Sequence, residues 1–333
     1  MGGKALSVIV PRISKSSYED VCDMVLSKLK DYPIRHKVLP TYFQKADFGD
    51  LDIVFEAEGF DYTEVAKLLD ATEVVHNNTV TSVGVSIKEG TFQVDLITVP
   101  KSSFDFAVSY FSFSDLGNLL GRVAHKLGFK FGHNGLMYVI RDPAKPTQVI
   151  KEITITNSFK DALEFCGYSF EAYAEGRLGG FQTLKDIFEY VIDTPYFNKE
   201  IFLLDNRNAK ARMRDAKRKT YMDFLKYIED KEFTAFDYSS KEELRATSLA
   251  KALDTFPEFK KAHFDAIEKY NKSEEVAKKF NGTIVAEITG LSGKELGTFI
   301  QAFKHSFDNF ENFEDFVLTT NALEYNLKNF KVI

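Results

Sequence analysis

The stretch from Pro40 to Val99 limits what this chain can fold into more than any other. It contains Phe48-Gly49-Asp50-Leu51-Asp52-Ile53-Val54-Phe55, answered 43 residues after Asp52 by Phe92-Gln93-Val94-Asp95-Leu96-Ile97. Successive side chains of a strand point to opposite faces, so Asp50 and Asp52 project from the same one. The apolar run Ile53-Val54-Phe55 fits a strand inside a sheet, and Asp95 stands at the heart of a second apolar strand, where an unpaired charge is expensive. Two carboxylates held close repel each other unless something cationic sits between them. If the two strands are neighbours, the three acids converge on an oxygen-rich pocket suited to Mg²⁺, which prefers carboxylates together with substrate phosphates. The opposing reading is a solvated Asp pair on an edge strand, with Asp95 unrelated to it.

Gly-Asp-Leu-Asp followed by a distant lone Asp on a strand resembles the DNA polymerase β nucleotidyltransferase superfamily. The resemblance implies an α+β fold: a small mixed-sheet, palm-like core followed by a mostly helical region. It also implies that Asp50 and Asp52 bind two Mg²⁺ ions, and that Asp95 binds one of them and assists the attacking hydroxyl of an acceptor while an NTP is consumed. The family carries a Gly-Ser pair about ten residues before its Asp-x-Asp, for the triphosphate. Pro40-Thr41 occupies roughly that place here. Thr41 keeps a hydroxyl, whereas Pro40 removes a backbone N–H donor. The nucleotide-binding set under this resemblance is Thr41, Lys45, Gly49, Arg122 and Lys126.

At 333 residues the chain is long enough for two or three domains. Its apolar content of 44% and charged content of 28% are those of a soluble globular protein. With 32 Phe and no Trp, its cores should be Phe-rich. Cys22 and Cys166 match no metal-ligand spacing and no disulfide framework, in keeping with a reducing compartment. No uncharged apolar run approaches the ~18 residues of a membrane span, and the N-terminus lacks an apolar targeting segment, so a cytoplasmic protein without a membrane partner is expected. The formal charge of −6 argues against a non-specific nucleic-acid coat, so any polyanion must meet a local basic patch.

In chain order, Ser7 to Ile13 reads as a short strand or lead-in, and Ser16-Ser17 as the cap of a helix to about Lys30. His36 to Phe43 and Asp50 to Glu56 read as strands, Thr63 to Leu69 as a helix, and Thr79 to Lys88 with Thr91 to Val99 as a hairpin around Glu89-Gly90. Ser114 to Gly128 is a helix capped by Ser114, with a small-residue stripe at Gly117, Gly121, Ala124 and Gly128 that a neighbouring backbone or a ligand must approach closely. Arg122 and Lys126 lie one turn apart on it. His125 and His133 read as ordinary polar histidines. Strands follow over Phe129 to Arg141 and Gln148 to Thr156. After Asn157 the texture becomes helical, which places a boundary between a catalytic domain, 1–156, and a helical substrate-binding region, 157–333.

Within that region, Arg207 to Lys219 carries seven cations against Asp215 alone. On one continuous helix from Arg207 to Asp230, the residues Arg207, Lys210, Arg214, Lys217 and Arg218 fall on one face, with Tyr221 at the next turn. A basic stripe ending in an aromatic suits a phosphate backbone and a stacked base; a charge run on a helix is more often a solvated face. Farther on, Gly290-Leu291-Ser292-Gly293-Lys294-Glu295-Leu296-Gly297 resembles the RNA-side segment of tRNA CCA-adding enzymes and their poly(A) polymerase relatives, where such a turn and its Lys294 would meet RNA phosphates; a plain helix–turn–helix is the alternative. Viral and phage nucleotidyltransferases offer the nearest overall likeness. The expected activity is therefore transfer of NMP from an NTP to the 3′ hydroxyl of an RNA, most of all tRNA. The alternatives are a nucleotidyltransferase that modifies a protein or small molecule or makes a signalling oligonucleotide, and a catalytically dead RNA-binding relative.

Overall fold

The computed structural model describes residues 3–332; Met1, Gly2 and Ile333, which fall within the two expected domains, lie outside the described residues. The elements run β1 (Ile13–Ser14), α1 (Lys15–Lys28), β2 (His36–Val38), β3 (Asp47–Phe48), β4 (Asp50–Glu56), α2 (Tyr62–Leu68), β5 (Glu73–Asn77), β6 (Val80–Ile87), β7 (Gly90–Val99), α3 (Phe104–Phe111) and α4 (Leu116–Lys126). Then come β8 (Lys130–Gly132), β9 (Gly135–Arg141), β10 (Val149–Thr156), α5 (Phe159–Phe165), α6 (Phe170–Glu175), α7 (Leu184–Ile192), α8 (Ala209–Asp215) and α9 (Lys219–Glu229). The last are α10 (Lys241–Thr255), α11 (Pro257–Lys279), α12 (Gly282–Thr289), α13 (Gly293–His305), α14 (Phe310–Thr319) and α15 (Leu323–Asn329). The fold is mixed α+β, with a mixed sheet and a helical C-terminal region, as expected.

The main sheet has the order β2-β4-β7-β6-β5, with β4 and β7 parallel and every other pair antiparallel. Alternation along the strands divides its two faces. Leu51, Ile53 and Phe55 of β4, with Phe92, Val94 and Leu96 of β7, point to the face covered by Val21 and Val25 of α1, Leu29 at its C-terminal cap, and Val65 of α2. Val54, Ile97 and Val99 point the other way, under Phe104, Ala107 and Val108 of α3. α3 is short and covers only the far half of its face. The near half, at the start of β4, is left for Asp50 and Asp52.

Several local readings change. The cap of α1 is Ser14, whose hydroxyl accepts from the Ser17 N–H at 3.2 Å, not Ser16 or Ser17. Ser114 does not cap α4: Phe113 and Ser114 both hold positive φ, 59° and 64°, and Asp115 is the boundary residue. β2 stops at Val38, because Pro40 has no N–H to continue a ladder. β5 pairs with β6 on the sheet's outer edge and had no counterpart in the sequence reading. Of the stripe, Gly117 is required by packing, since a Cβ there would overlap the Tyr110 carbonyl oxygen of α3, whereas at Gly121 the nearest atom lies at 3.5 Å and Gly128, past the end of α4, holds a positive φ of 98°. Both cysteines are free.

The change from strands to helices does fall near residue 157, but the two compact units divide elsewhere. One comprises 1–140 with 152–259, the other 141–151 with 260–333. Helices α5 to α10 thus belong with the sheet. The second unit has its own Phe-rich core, including Phe280, Phe299, Phe303 and Phe313. No helix among the described residues is long and apolar enough to cross a membrane.

Candidate metal centre

Parallel pairing sets Asp52 directly beside Asp95, and Asp50 beside Gln93. On the other side of β7, Ser82 stands opposite Asp95. One sheet face therefore gathers Asp50, Asp52, Asp95, Gln93 and Ser82. Carboxylate oxygens of the three acids all lie within 4.8 Å of one another, and theirs is the one such group of potential metal ligands among the described residues. The Ser82 hydroxyl donates to Asp95 Oδ1 at 2.6 Å. The Gln93 amide donates to both Asp95 oxygens at 2.9 and 3.1 Å, while its own oxygen accepts from the Ala5 N–H at 2.9 Å. Asp95 is thus oriented by two donors, the kind of outer support that metal-binding carboxylates receive.

The charges are not balanced. Burial, then Asp50, then Asp95 push the Asp52 carboxyl up to about 8. Burial also raises Asp95, against the pull of its Ser82 and Gln93 hydrogen bonds. Lys45 is half-buried over the Phe48 ring, 4.4 Å from its centroid, with its ammonium pKa lowered by burial and partly restored by Asp50 and Asp52. Arg12 is ion-paired to Asp47, so it offers Asp50 only a share of its field. Three hard oxygen donors with an excess of negative charge suit a divalent cation such as Mg²⁺.

Of the expected nucleotide-binding residues, Lys45 and Gly49 adjoin the triad. Gly49 is buried, its carbonyl against Gly3. Thr41 follows the end of β2, where the Leu39 N–H donates to the Asp52 carbonyl at 3.0 Å, so it lies by the start of β4. Arg122 and Lys126 are directed elsewhere. Arg122 donates to the Ile201 carbonyl at 3.4 Å, and Lys126 lies 5.8 Å from the centre of the Tyr238 ring. Burial lowers the Arg122 guanidinium to about 10 and His125 to about 4, leaving that imidazole neutral.

The basic stretch is the larger departure. The helix expected from Arg207 to Asp230 is broken into α8 and α9, so its cations do not form one face. Arg207 is buried, ion-paired to the fully buried Asp215 at 2.9 Å. It also donates to the Tyr221 hydroxyl, which in turn donates to the Phe202 carbonyl at 2.7 Å. Tyr221 is buried and offers no stacking surface. Arg214 bonds Asp215 and Asn118, and Arg218 pairs with Asp115 at the start of α4. Only Lys210 and Lys217 of the named stripe remain exposed without a partner among the described residues. Lys294 is exposed in the first turn of α13, whose Ser292 makes no side-chain cap; a Cβ at Gly290, Gly293 or Gly297 would meet nothing within 4 Å.

Gln93, Ser82 and Ala5 were missed as site residues. Gln93 sits two residues before Asp95, so strand alternation alone puts it on the same face. The sequence matches no protein-family model and no curated protein.

Proposed function

We propose that this protein is a metal-dependent nucleotidyltransferase that transfers NMP from an NTP to an RNA 3′ hydroxyl, with a palm-like core built on β4 and β7. The observation that carries the reading is the Asp52–Asp95 pair on adjacent parallel strands, with Asp50 on the same face and all three carboxylates within 4.8 Å. Such a cluster crowds carboxylates together until Asp52 keeps its proton up to about pH 8, and a divalent cation is suited to take that proton's place. A pair of Mg²⁺ ions there supplies Lewis-acid stabilisation of the attacking and leaving oxygens.

The residues of the chain do the rest. Asp50 and Asp52 would hold the cations that offset the negative charge of the triphosphate. Asp95, kept in one orientation by Ser82 and Gln93, lies toward the acceptor hydroxyl and takes part in its deprotonation. Lys45 and the Thr41 hydroxyl meet the triphosphate, with Lys45 in a part of the site where water is scarce and its charge acts strongly. The exposed glycines of the turn before α13, with Lys294, suit a close approach of RNA phosphates.

A second reading keeps the chemistry and changes the acceptor to a protein or small-molecule hydroxyl. It is favoured by the internal use of Arg207 and Tyr221, which are buried, and by the ion pairs that engage Arg214 and Arg218, which leave Lys210 and Lys217 as the unpaired cations of the stripe among the described residues. Transfer of label from each α-labelled NTP to bulk tRNA, with Mg²⁺ and with EDTA, tests the first reading. Mg²⁺-dependent label on RNA supports it, and label found only on the protein itself supports the second.

A further inference from the structure

A groove of about 470 Å³ opens beside the edge strand β2, lined by Arg35, Lys37, Phe104, Lys160, Phe170 and Arg177 among others. Four cations from three separate stretches of a chain with net charge −6 converge there, against Asp105. Asp105 and Glu56 are both occupied by Arg35, at 2.6 and 3.6 Å. Lys160 has only an exposed partner one turn away, Glu164 at 3.8 Å, a contact worth little. Lys37 and Arg177 are exposed and have no ion-pair or hydrogen-bond partner among the described residues. The groove therefore holds uncompensated positive charge beside an edge strand of the sheet that carries the triad. It also holds Phe170, partly exposed, with the Lys160 ammonium 5.7 Å from its ring centre. Cations that track a backbone next to an aromatic face are the chemistry of single-stranded nucleic-acid sites.

Register places the groove relative to the triad. Lys37 pairs with Val54, two residues along β4 from Asp52. Side chains of paired residues share a face, so Lys37 emerges on the same face as Asp50 and Asp52. One strand across and two residues along amounts to about 8 Å between the Lys37 and Asp52 backbones. We propose that this groove seats the single-stranded 3′ segment of the RNA acceptor, its phosphates on Lys37 and Arg177 and a base against Phe170, so that the terminal hydroxyl reaches the carboxylates. The assignment rests on the RNA reading of the acceptor given above.

The test is titration of a labelled single-stranded RNA into metal-free protein in EDTA, at several salt concentrations, with wild type, a Lys37→Gln/Arg177→Gln variant, and a control, Lys30→Gln/Lys67→Gln, at two exposed lysines outside the groove. Thermal melts establish that each variant is folded. The groove variant is expected to lose about tenfold in affinity, and its log–log salt slope to flatten by about 1.4, two contacts at ~0.7 each for a single strand. The control is expected to match wild type. Phe170→Ala should weaken binding without changing the salt slope. Equal affinities and slopes for wild type and groove variant would overturn the proposal, as would a groove variant that loses affinity for free ATP but not for RNA. Because binding is read without metal, the two claims fail separately. Transfer to RNA that the groove variant leaves unchanged removes the groove and spares the triad; salt-dependent, groove-sensitive RNA binding in a protein with no transferase activity supports the groove and removes the chemistry.

Discussion

The acidic triad and the basic stretch Arg207–Lys219 are both dense clusters of one sign of charge, and the fold treats them in opposite ways. Around Asp50, Asp52 and Asp95 the sheet supplies hydrogen-bond donors to one acid and a half-buried Lys45 beside the other two, leaving negative charge in excess. Around Arg207 the fold supplies a fully buried carboxylate and a phenol, so the innermost cation is neutralised within the chain, while Lys210 and Lys217 stay exposed at the surface. A buried ion pair completed within the chain is structure, and removing one half of it exposes the cost of the other. A like-charge cluster without a partner in the chain is relieved by a proton, as Asp52 is below about pH 8, or by a bound cation.

That contrast is broken most sharply by exchanging single charges. Under the proposed transferase reaction, Asp52→Asn is expected to reduce transfer by ~10³-fold or more, since it would remove a ligand of the cations that stabilise the transition state. The same change relieves repulsion, so the melting temperature of the metal-free protein should hold or rise. Full activity in this variant would remove the site. The mirror experiment is Asp215→Asn, which strands the Arg207 guanidinium in the interior and is expected to cost about 3–5 kcal/mol in urea unfolding. An unchanged midpoint would mean that the Arg207–Asp215 pair is not the buried unit described above.

Much of this contrast was legible from one half of the sequence only. Strand Asp50–Glu56 stands out because alternation and the Ile53-Val54-Phe55 run agree, and a period of two survives small errors in its ends. The face shared by Asp50 and Asp52 follows from it directly. The basic stripe required something stronger, an unbroken helix through Ala216 to Arg218, and the chain turns there. A helical wheel also carries no information about Asp215, which sits among the cations and neutralises the innermost of them. Ser82 was hidden by register: a turn centred on Glu89-Gly90 sets Gly84 against Asp95, whereas the actual turn at Lys88-Glu89 sets Ser82 there. The bond from Ala5 to Gln93 joins residues 88 apart and leaves no periodic trace.

Smaller effects sharpen the account of the triad. Gln93→Leu removes the amide that holds Asp95 and is expected to weaken divalent-metal affinity by about 10–100-fold, as loss of an orienting partner does. Metal affinity equal to wild type would show that Ser82 alone orients the carboxylate. Thr41→Val should weaken NTP binding by about 1–2 kcal/mol if its hydroxyl meets a phosphate oxygen. An unchanged NTP affinity would leave Lys45 as the triphosphate contact on this side of the site.

The most direct measurement is calorimetric titration of Mg²⁺ into wild type and Asp52→Asn between pH 6 and 9, in buffers of different ionisation enthalpy so that released protons are counted. The folded Asp52 carboxyl is held at about 8, above its ordinary value, so ionising it costs the metal-free fold stability as pH rises from the usual carboxylate range toward 8. Below that point Mg²⁺ must displace the proton. Affinity is then expected to climb with pH by up to about tenfold per unit, with roughly one proton released per ion, and to level off above about 8. Asp52→Asn should bind weakly and release no proton. Affinity independent of pH, or binding by Asp52→Asn equal to wild type, would contradict the claim that these three carboxylates are a metal site.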